Sequence, residues 1–381
     1  MKQVAIKIEE RIQYVTDWLL YSGIQSESGG FYAWADAEDK TYSYLYPEIT
    51  GYAITTMCFL HELKKEALYL SKAKIAAQWI IEKAMHPNGG VLTRDYVKYP
   101  VSHYSFESAN IYAFDSAMVA FGLLKLYKAA KDKKYYQAAK NIVNFLIDNM
   151  LGENKLFYPI FDGKNDKVYE DDKKWSTQKG SFLCKVSLCL CELADIEQDE
   201  YYKKIAKDLI SASIKTCYKD ARFITNTFDE SSHFHPLCYT LEGMAYYTHK
   251  TKDAKYNSCF EEAFNWVLGL QEHDGGIPTS VIKGSENRIS HQRADIQAQA
   301  LRLYYLNNKD CVSGFDKDKL LARLLEFQNI GPGQNGAFFF GFDSDGSYKK
   351  HANTWCSMFA LQALYLATGK TDKNIVLEYL V

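Results

Sequence analysis

Net charge is almost absent from this sequence: 45 lysines and arginines stand against 47 aspartates and glutamates in 381 residues, a balance of −2. Without a basic field to gather a polyanion, nucleic acid is not expected as a partner. Long apolar runs are absent as well. Nothing approaches the roughly 20 uninterrupted apolar residues of a membrane span. Met1 to Glu10, with Lys2, Lys7, Glu9 and Glu10, reads neither as a signal peptide nor as an anchor. No membrane insertion is expected, and a cytoplasmic location is. Phosphate-binding loops, dinucleotide fingerprints and Ser-His-Asp motifs are missing too, which excludes the common nucleotide and acyl-transfer chemistries. The nine cysteines are an odd number. Cys58, Cys184, Cys189, Cys191, Cys238 and Cys259 lie within apolar helical patterns, as reduced, packed thiols would.

What is plentiful is apolar and aromatic. Hydrophobic residues make up 47% and charged residues 24%, the balance of a folded globular chain. Tyr (29), Phe (21) and Trp (6) together reach 15%, more than a core needs, so some are expected to line a groove.

A repeat organises the chain. Gly29-Gly30-Phe31-Tyr32, Gly89-Gly90-Val91-Leu92, Gly275-Gly276-Ile277-Pro278 and Gly336-Ala337-Phe338-Phe339 are copies of one turn, and Lys155-Leu156-Phe157-Tyr158 and Arg222-Phe223-Ile224-Thr225 are degenerate copies. Their spacings are 60, 66, 67, 53 and 61 residues, so six units fill the chain. Before the turns run amphipathic helices with i, i+3, i+4, i+7 apolar spacing, such as Ala73, Ala76, Ala77 and Ile80, or Ala139, Ile142, Val143 and Leu146. After each turn comes a helix apolar nearly all round: 50–63, 116–129, 180–193, 236–249, 295–306 and 354–367. One-sided and all-round apolar helices in alternation are what two concentric layers require. The expected fold is all-α, a single (α/α)6 toroid of six helical hairpins over residues 1–381. An open solenoid is the alternative, although solenoid repeats usually run nearer 35 to 45 residues.

In a closed ring the first turns of the inner helices converge on one mouth. They supply Glu48 and Thr50, Asp115 and Ser116, Gln178 and Lys179, His233 and His235, Arg293 and Asp295, and His351 with Asn353. Carboxylates and serines there are explained by capping. His235, Arg293 and His351 are not, because positive charge is disfavoured at a helix N-terminus. Glu48, Asp115 and Asp295 are the carboxylates in reach for proton transfer, and all six residues are expected around one pocket. Trp34, Tyr44, Tyr104, Trp175, Phe340 and Trp355 are expected to bind substrate, since flat apolar faces beside acidic residues suit pyranose rings. Arg293 and Lys179, with Arg94 and Arg288, are placed to pair with a substrate carboxylate.

The six outer-inner pairs and their Gly-Gly turns resemble the (α/α)6 toroids of six-hairpin glycosidases, unsaturated glucuronyl hydrolases, N-acylglucosamine 2-epimerases and polysaccharide lyases, and more distantly terpene cyclases and prenyltransferases. Tyr46-Pro47-Glu48-Ile49-Thr50-Gly51-Tyr52 resembles a motif of toroid proteins associated with bacterial surface polysaccharides. The resemblance implies a saccharide substrate. Asp115, in Phe114-Asp115-Ser116-Ala117-Met118, is similar in position to a catalytic aspartate of the glucuronyl hydrolases, while His235 and His351 correspond in place to the histidine pair of the epimerases. The expected function is therefore a carbohydrate-active enzyme, acting by acid/base chemistry with no metal and no cofactor on an oligo- or polysaccharide, an acidic sugar being the refinement. Hydrolysis is preferred; epimerisation and elimination are the alternatives. From other classes come a non-catalytic glycan-binding protein of polysaccharide assembly and an isoprenoid or zinc enzyme using His233, His235 and Cys238. The oligomeric state stays open.

Overall fold

The computed structural model describes residues 7–96, 104–171, 174–282, 287–307, 312–343 and 345–381. Its helices alternate as outer and inner members of six hairpins: α1 (Ile8–Tyr21) and α2 (Pro47–Lys64), α3 (Ala67–Trp79) and α4 (Ala113–Ala130), α5 (Lys133–Phe145) and α6 (Ser187–Glu197), α7 (Glu200–Cys217) and α8 (Phe234–Thr251), α9 (Asn257–Leu268) and α10 (Ala294–Asn307), α11 (Lys317–Glu326) and α12 (Thr354–Ala367). A short helix, α13 (Lys373–Glu378), follows. Burial separates the two sets as the apolar pattern requires. Every residue of α4 from Ala113 to Leu126 is buried, whereas α5 buries only the stripe Tyr135, Ala138, Ala139, Ile142, Val143 and Phe145.

The inner helices pack in chain order, α2 on α4, α4 on α6, α6 on α8, α8 on α10 and α10 on α12, and α12 returns to α2. The ring is closed, and the protein is an (α/α)6 toroid. The glycine turns lock onto the inner helices in a repeated way. The amide after the turn donates to a side chain in the first turns of the inner helix: Phe31 to Thr50, Val91 to Ser116, Ile277 to Gln297 and Phe338 to Ser357, at 2.9, 3.3, 2.7 and 3.0 Å. Gly336 shows why glycine marks the turn. Its φ is +94°, and a Cβ there would press on the Tyr14 carbonyl oxygen. The degenerate turns manage with Lys155 (φ 67°) and with Asp220 and Ala221 (φ 53° and 58°) in the left-handed region.

A glutamine reinforces the seams between hairpins. Gln25 Nε2 donates to the carbonyls of Gly29 and Lys72, Gln271 Nε2 to those of Gly275 and Asp316, and Gln328 Nε2 to those of Gly336 and Arg11. The last clamp joins the sixth hairpin to the first.

Short strands at the rim were not readable from the helical pattern. Tyr348–Asn353 pairs antiparallel with both Phe339–Phe342 and Trp34–Asp36, tying unit six to unit one. Asn110–Tyr112 pairs with Ile160–Asp162, and Ser231–His233 with Ser280–Ile282, each bordered by a further strand. The third inner helix also starts differently from the sequence reading, because Ser181–Val186 forms a 3-10 segment ahead of α6. Among the described residues no helix is long and apolar enough to cross a membrane. The eight described cysteines are free thiols, all buried except Cys259, which is partly exposed.

Candidate active site

At the mouth of the ring a cavity of about 200 Å³ is lined by residues from all six hairpins. Glu48 comes from the first turn of α2, where Pro47 occupies the N-terminal position that needs no amide proton. Asp115 comes from the first turn of α4 and His235 from that of α8. Tyr44, Tyr46, Arg94, Tyr104, Tyr112 and Trp175 reach in from the rim loops and strands, Tyr239 from α8, Trp355 from α12, and Arg293 from just before α10.

Glu48 and Asp115 are only 8% and 5% exposed, and what is exposed faces this space. Burial, followed by the nearby Asp115 charge, pushes the Glu48 carboxyl up to about 8. Burial raises Asp115 as well, to about 6, opposed by the Thr93 hydroxyl, which donates to Asp115 Oδ2 at 2.8 Å, and by Arg94. The neighbouring Tyr46 hydroxyl favours the ionised form of both carboxyl groups and so opposes the rise of each. The Asp115 charge acts on Glu48, so the two carboxyls titrate as a pair. Burial thus favours the protonated form of both carboxyls, and of Glu48 the more.

Arg94 faces the same space. Its guanidinium carbon lies 4.2, 4.7 and 5.2 Å from the ring centres of Tyr104, Tyr44 and Tyr46. Its Nη1 donates to the Tyr96 hydroxyl at 3.2 Å, and its buried Nε has no partner among the described residues. Arg293 differs in being neutralised: it forms a two-point pair with Asp295, and its guanidinium stacks 4.4 Å above Phe340.

Asp295 is fully buried and does not line the cavity. It accepts from Arg293, from Trp355 Nε1 at 3.0 Å and from its neighbour's Ile296 amide at 2.8 Å, and it lies 3.5 Å from His235 Nδ1. Burial would raise its carboxyl, but Arg293 and then His235 outweigh that and hold it low. One carboxylate thus fixes three cavity-lining side chains from behind. Burial depresses His235 to about 4, so this ring is neutral near pH 7. Neutrality is why a histidine is tolerated in the first turn of α8, and the ion pair with Asp295 does the same for Arg293 beside α10.

Of the residues singled out in the sequence, Glu48, Asp115, His235, Arg293, Tyr44, Tyr104, Trp175 and Trp355 meet around this cavity, with Asp295 behind them. His351 does not. It lies in the strand Tyr348–Asn353 rather than on α12, is paired across the sheet with Asp36, and stacks on Trp34 with ring centres 4.9 Å apart. Strand alternation carries its side chain, and Trp34 with it, to the rim sheet. Lys179 turns outward over the Tyr158 ring at 3.5 Å and pairs with Glu170, and Phe340 backs Arg293 rather than facing the cavity. Thr50 and Ser116 are occupied by the turn amides. Sequence reasoning missed Tyr46, Tyr112 and Tyr239, which look like core aromatics; the signal for Tyr46 was its place two residues before Glu48. Among the described residues no three His, Cys, Asp or Glu side chains converge in a way that could hold a metal ion.

No protein-family model matches the sequence, and no curated protein sequence does. Solved structures do match in fold. A sugar epimerase from a ruminal bacterium superposes with a TM-score of 0.77 at 14% identity, covering 96% of this chain and 100% of the other. Cellobiose 2-epimerase from Spirochaeta thermophila gives 0.71 at 12%, covering 97% and 99%. An unsaturated glucuronyl hydrolase specific for heparin gives 0.68 at 12%, covering 96% and 98%. The chain thus shares its toroid fold, over nearly its whole length, with these three enzymes.

Proposed function

We propose that the protein is a sugar-processing enzyme that hydrolyses a glycosidic bond, with Glu48 as general acid and Asp115 as general base. The observation that carries this reading is the pair of buried carboxyl groups facing one cavity, with Glu48 pushed further toward its protonated form than Asp115. Glu48 gives its proton to the leaving oxygen as the bond to the anomeric carbon breaks. Asp115 takes a proton from the water that attacks that carbon. The rings of Tyr44, Tyr104, Trp175 and Trp355 supply faces for pyranose C–H groups. Arg94, which has spare donors and no carboxylate bonded to it among the described residues, supports a substrate with an acidic group.

A second reading, epimerisation or aldose–ketose isomerisation, is favoured by one observation: His235 lines the cavity as a neutral imidazole able to take a proton from carbon. The likeness in fold to epimerases is compatible with it.

One experiment separates the two. The purified chain is incubated in D₂O with neutral and uronate-containing oligosaccharides, and products are read by mass spectrometry and by reducing-end assay. New reducing ends, abolished in Glu48→Gln and Asp115→Asn, are expected. Deuterium gained at carbon 2 of the reducing sugar without chain shortening would replace hydrolysis by epimerisation. Turnover unchanged in both variants would remove the assignment of the acid and the base.

A further inference from the structure

Behind the cavity an unbroken line of buried polar side chains runs down the interior of the ring. Gln299 and Arg302 of α10, Glu242 of α8, Lys185 just before α6 and Gln362 of α12 are all fully buried. Lys185 Nζ donates to Glu242 Oε2 at 2.8 Å, and Arg302 donates to Glu242 Oε1. Burial would raise the Glu242 carboxyl, but these two cations outweigh it and hold the group ionised.

An ionised carboxylate can only accept hydrogen bonds. Gln299 must therefore turn its NH₂ toward Glu242, where Nε2 lies 3.3 Å from Oε1. That leaves the Gln299 carbonyl oxygen 2.7 Å from His235 Nδ1. It too can only accept. The other neighbour of Nδ1, Asp295 Oδ2 at 3.5 Å, is a carboxylate as well. Both groups in contact with Nδ1 are acceptors, so Nδ1 carries the proton of the neutral ring and Nε2 is bare. Nε2 has no hydrogen-bond partner among the described residues, and the ring lines the cavity.

We propose that Glu242 and Gln299 are positioning residues that lock His235 into one tautomer, so that a bare Nε2 faces the cavity as a fixed acceptor for a hydroxyl of the bound sugar. The hydroxyl contact rests on the reading of the protein as a sugar-processing enzyme; the lock does not. The groups around the imidazole are Asp295 and Arg293 at the start of α10, Glu242 and Tyr239 on its own helix, and the uncharged rings of Trp175 and Phe359. None of them hydrogen-bonds to Nε2.

The test is a proton–nitrogen correlation spectrum of the full chain labelled with ¹⁵N-histidine. His235, assigned by its loss in His235→Gln, is expected to show a protonated Nδ1 and an unprotonated Nε2, unchanged from pH 5 to 8. Gln299→Glu keeps an acceptor against Nδ1 and adds charge, so the same tautomer should persist while the titration midpoint rises by about one pH unit or more. Gln299→Leu, which adds no charge beside Glu242, covers the case in which the glutamate variant fails to fold. It should admit the Nε2-protonated form and raise KM about tenfold while leaving kcat and its pH limbs in place. A wild-type Nε2–H signal, a midpoint between pH 5 and 8, or an unmoved midpoint in Gln299→Glu overturns the lock. An intact lock with unchanged KM in Gln299→Leu overturns the hydroxyl contact. Absence of turnover on every glycan, with the lock observed, overturns the functional reading and leaves the lock standing.

Discussion

Replacing Glu48 with glutamine is expected to stabilise the protein while it abolishes turnover, and the stabilisation should depend on pH. In the folded chain the carboxyl is held at about 8 against an ordinary value of 4.5. Between those two values the folded state binds more of this proton than the unfolded state, so its contribution to stability falls as pH rises from 4.5 toward 8. Each pH step in that window costs about 1.4 kcal/mol, which amounts to about 3 kcal/mol at pH 7 and is an upper bound because Asp115 shares the proton. Glutamine has no proton to lose and keeps the same volume. Spread over the unfolding entropy of a chain this long, about 3 kcal/mol corresponds to a rise in Tm of about 4 °C. Urea and thermal unfolding of wild type and Glu48→Gln at pH 5, 6, 7 and 8 read the effect. The two proteins should differ by under about 1 kcal/mol at pH 5 and separate progressively above it. Turnover should fall by about 10² to 10⁴ at every pH. A stability difference that is constant with pH, or a variant less stable throughout, would refute the claim that burial of an ionisable acid is what this site costs the fold.

The pH profile of kcat/KM should be bell-shaped with limbs near 6 and 8, because the carboxyl pair must lose its first proton and keep its second; in Asp115→Asn the limb near 6 should vanish from whatever activity remains. Arg94→Gln should weaken binding of a methyl glucuronide about tenfold or more in calorimetry while leaving a methyl glucoside within about twofold; equal losses on both sugars would remove the acidic-group assignment. Gly336→Ala should cost about 2 to 4 kcal/mol in urea unfolding, since it combines a left-handed backbone with a clash against the Tyr14 carbonyl; a near-neutral result would show that this turn is free to shift.

The ring was legible because inner and outer helices must solve different burial problems, and their apolar patterns record it: α12 runs over the very residues that the sequence marks, 354–367. The cavity was half legible. Helix N-termini on a common axis point to Glu48, Asp115 and His235, but the same reasoning misplaced His351, because a strand pairing with residues more than 300 positions away leaves no local periodicity. Strands of two to six residues are invisible to pattern arguments for the same reason. Asp295 was read as chemistry and is fully buried behind the residues that line the cavity. Its type was informative and its depth was not, since depth depends on how Arg293, Trp355 and His235 crowd in front of it. Thr50 and Ser116 were polar for a reason the sequence also contained, namely the amide freed at each glycine turn, at 2.9 and 3.3 Å from their hydroxyls.

The glutamine clamp from Gln328 to the Arg11 carbonyl repeats, between the sixth hairpin and the first, the bond that Gln25 and Gln271 make between neighbours in sequence. A linear array of repeats melts from its two ends, where each terminal unit has one neighbour instead of two. Here the first and last hairpins have two neighbours each, so no unit is a preferred place for fraying to begin. Exchange of backbone amides in α1 and α11 should therefore be as slow as in α3 and α9, and all four should open together, in one step, when the circle breaks.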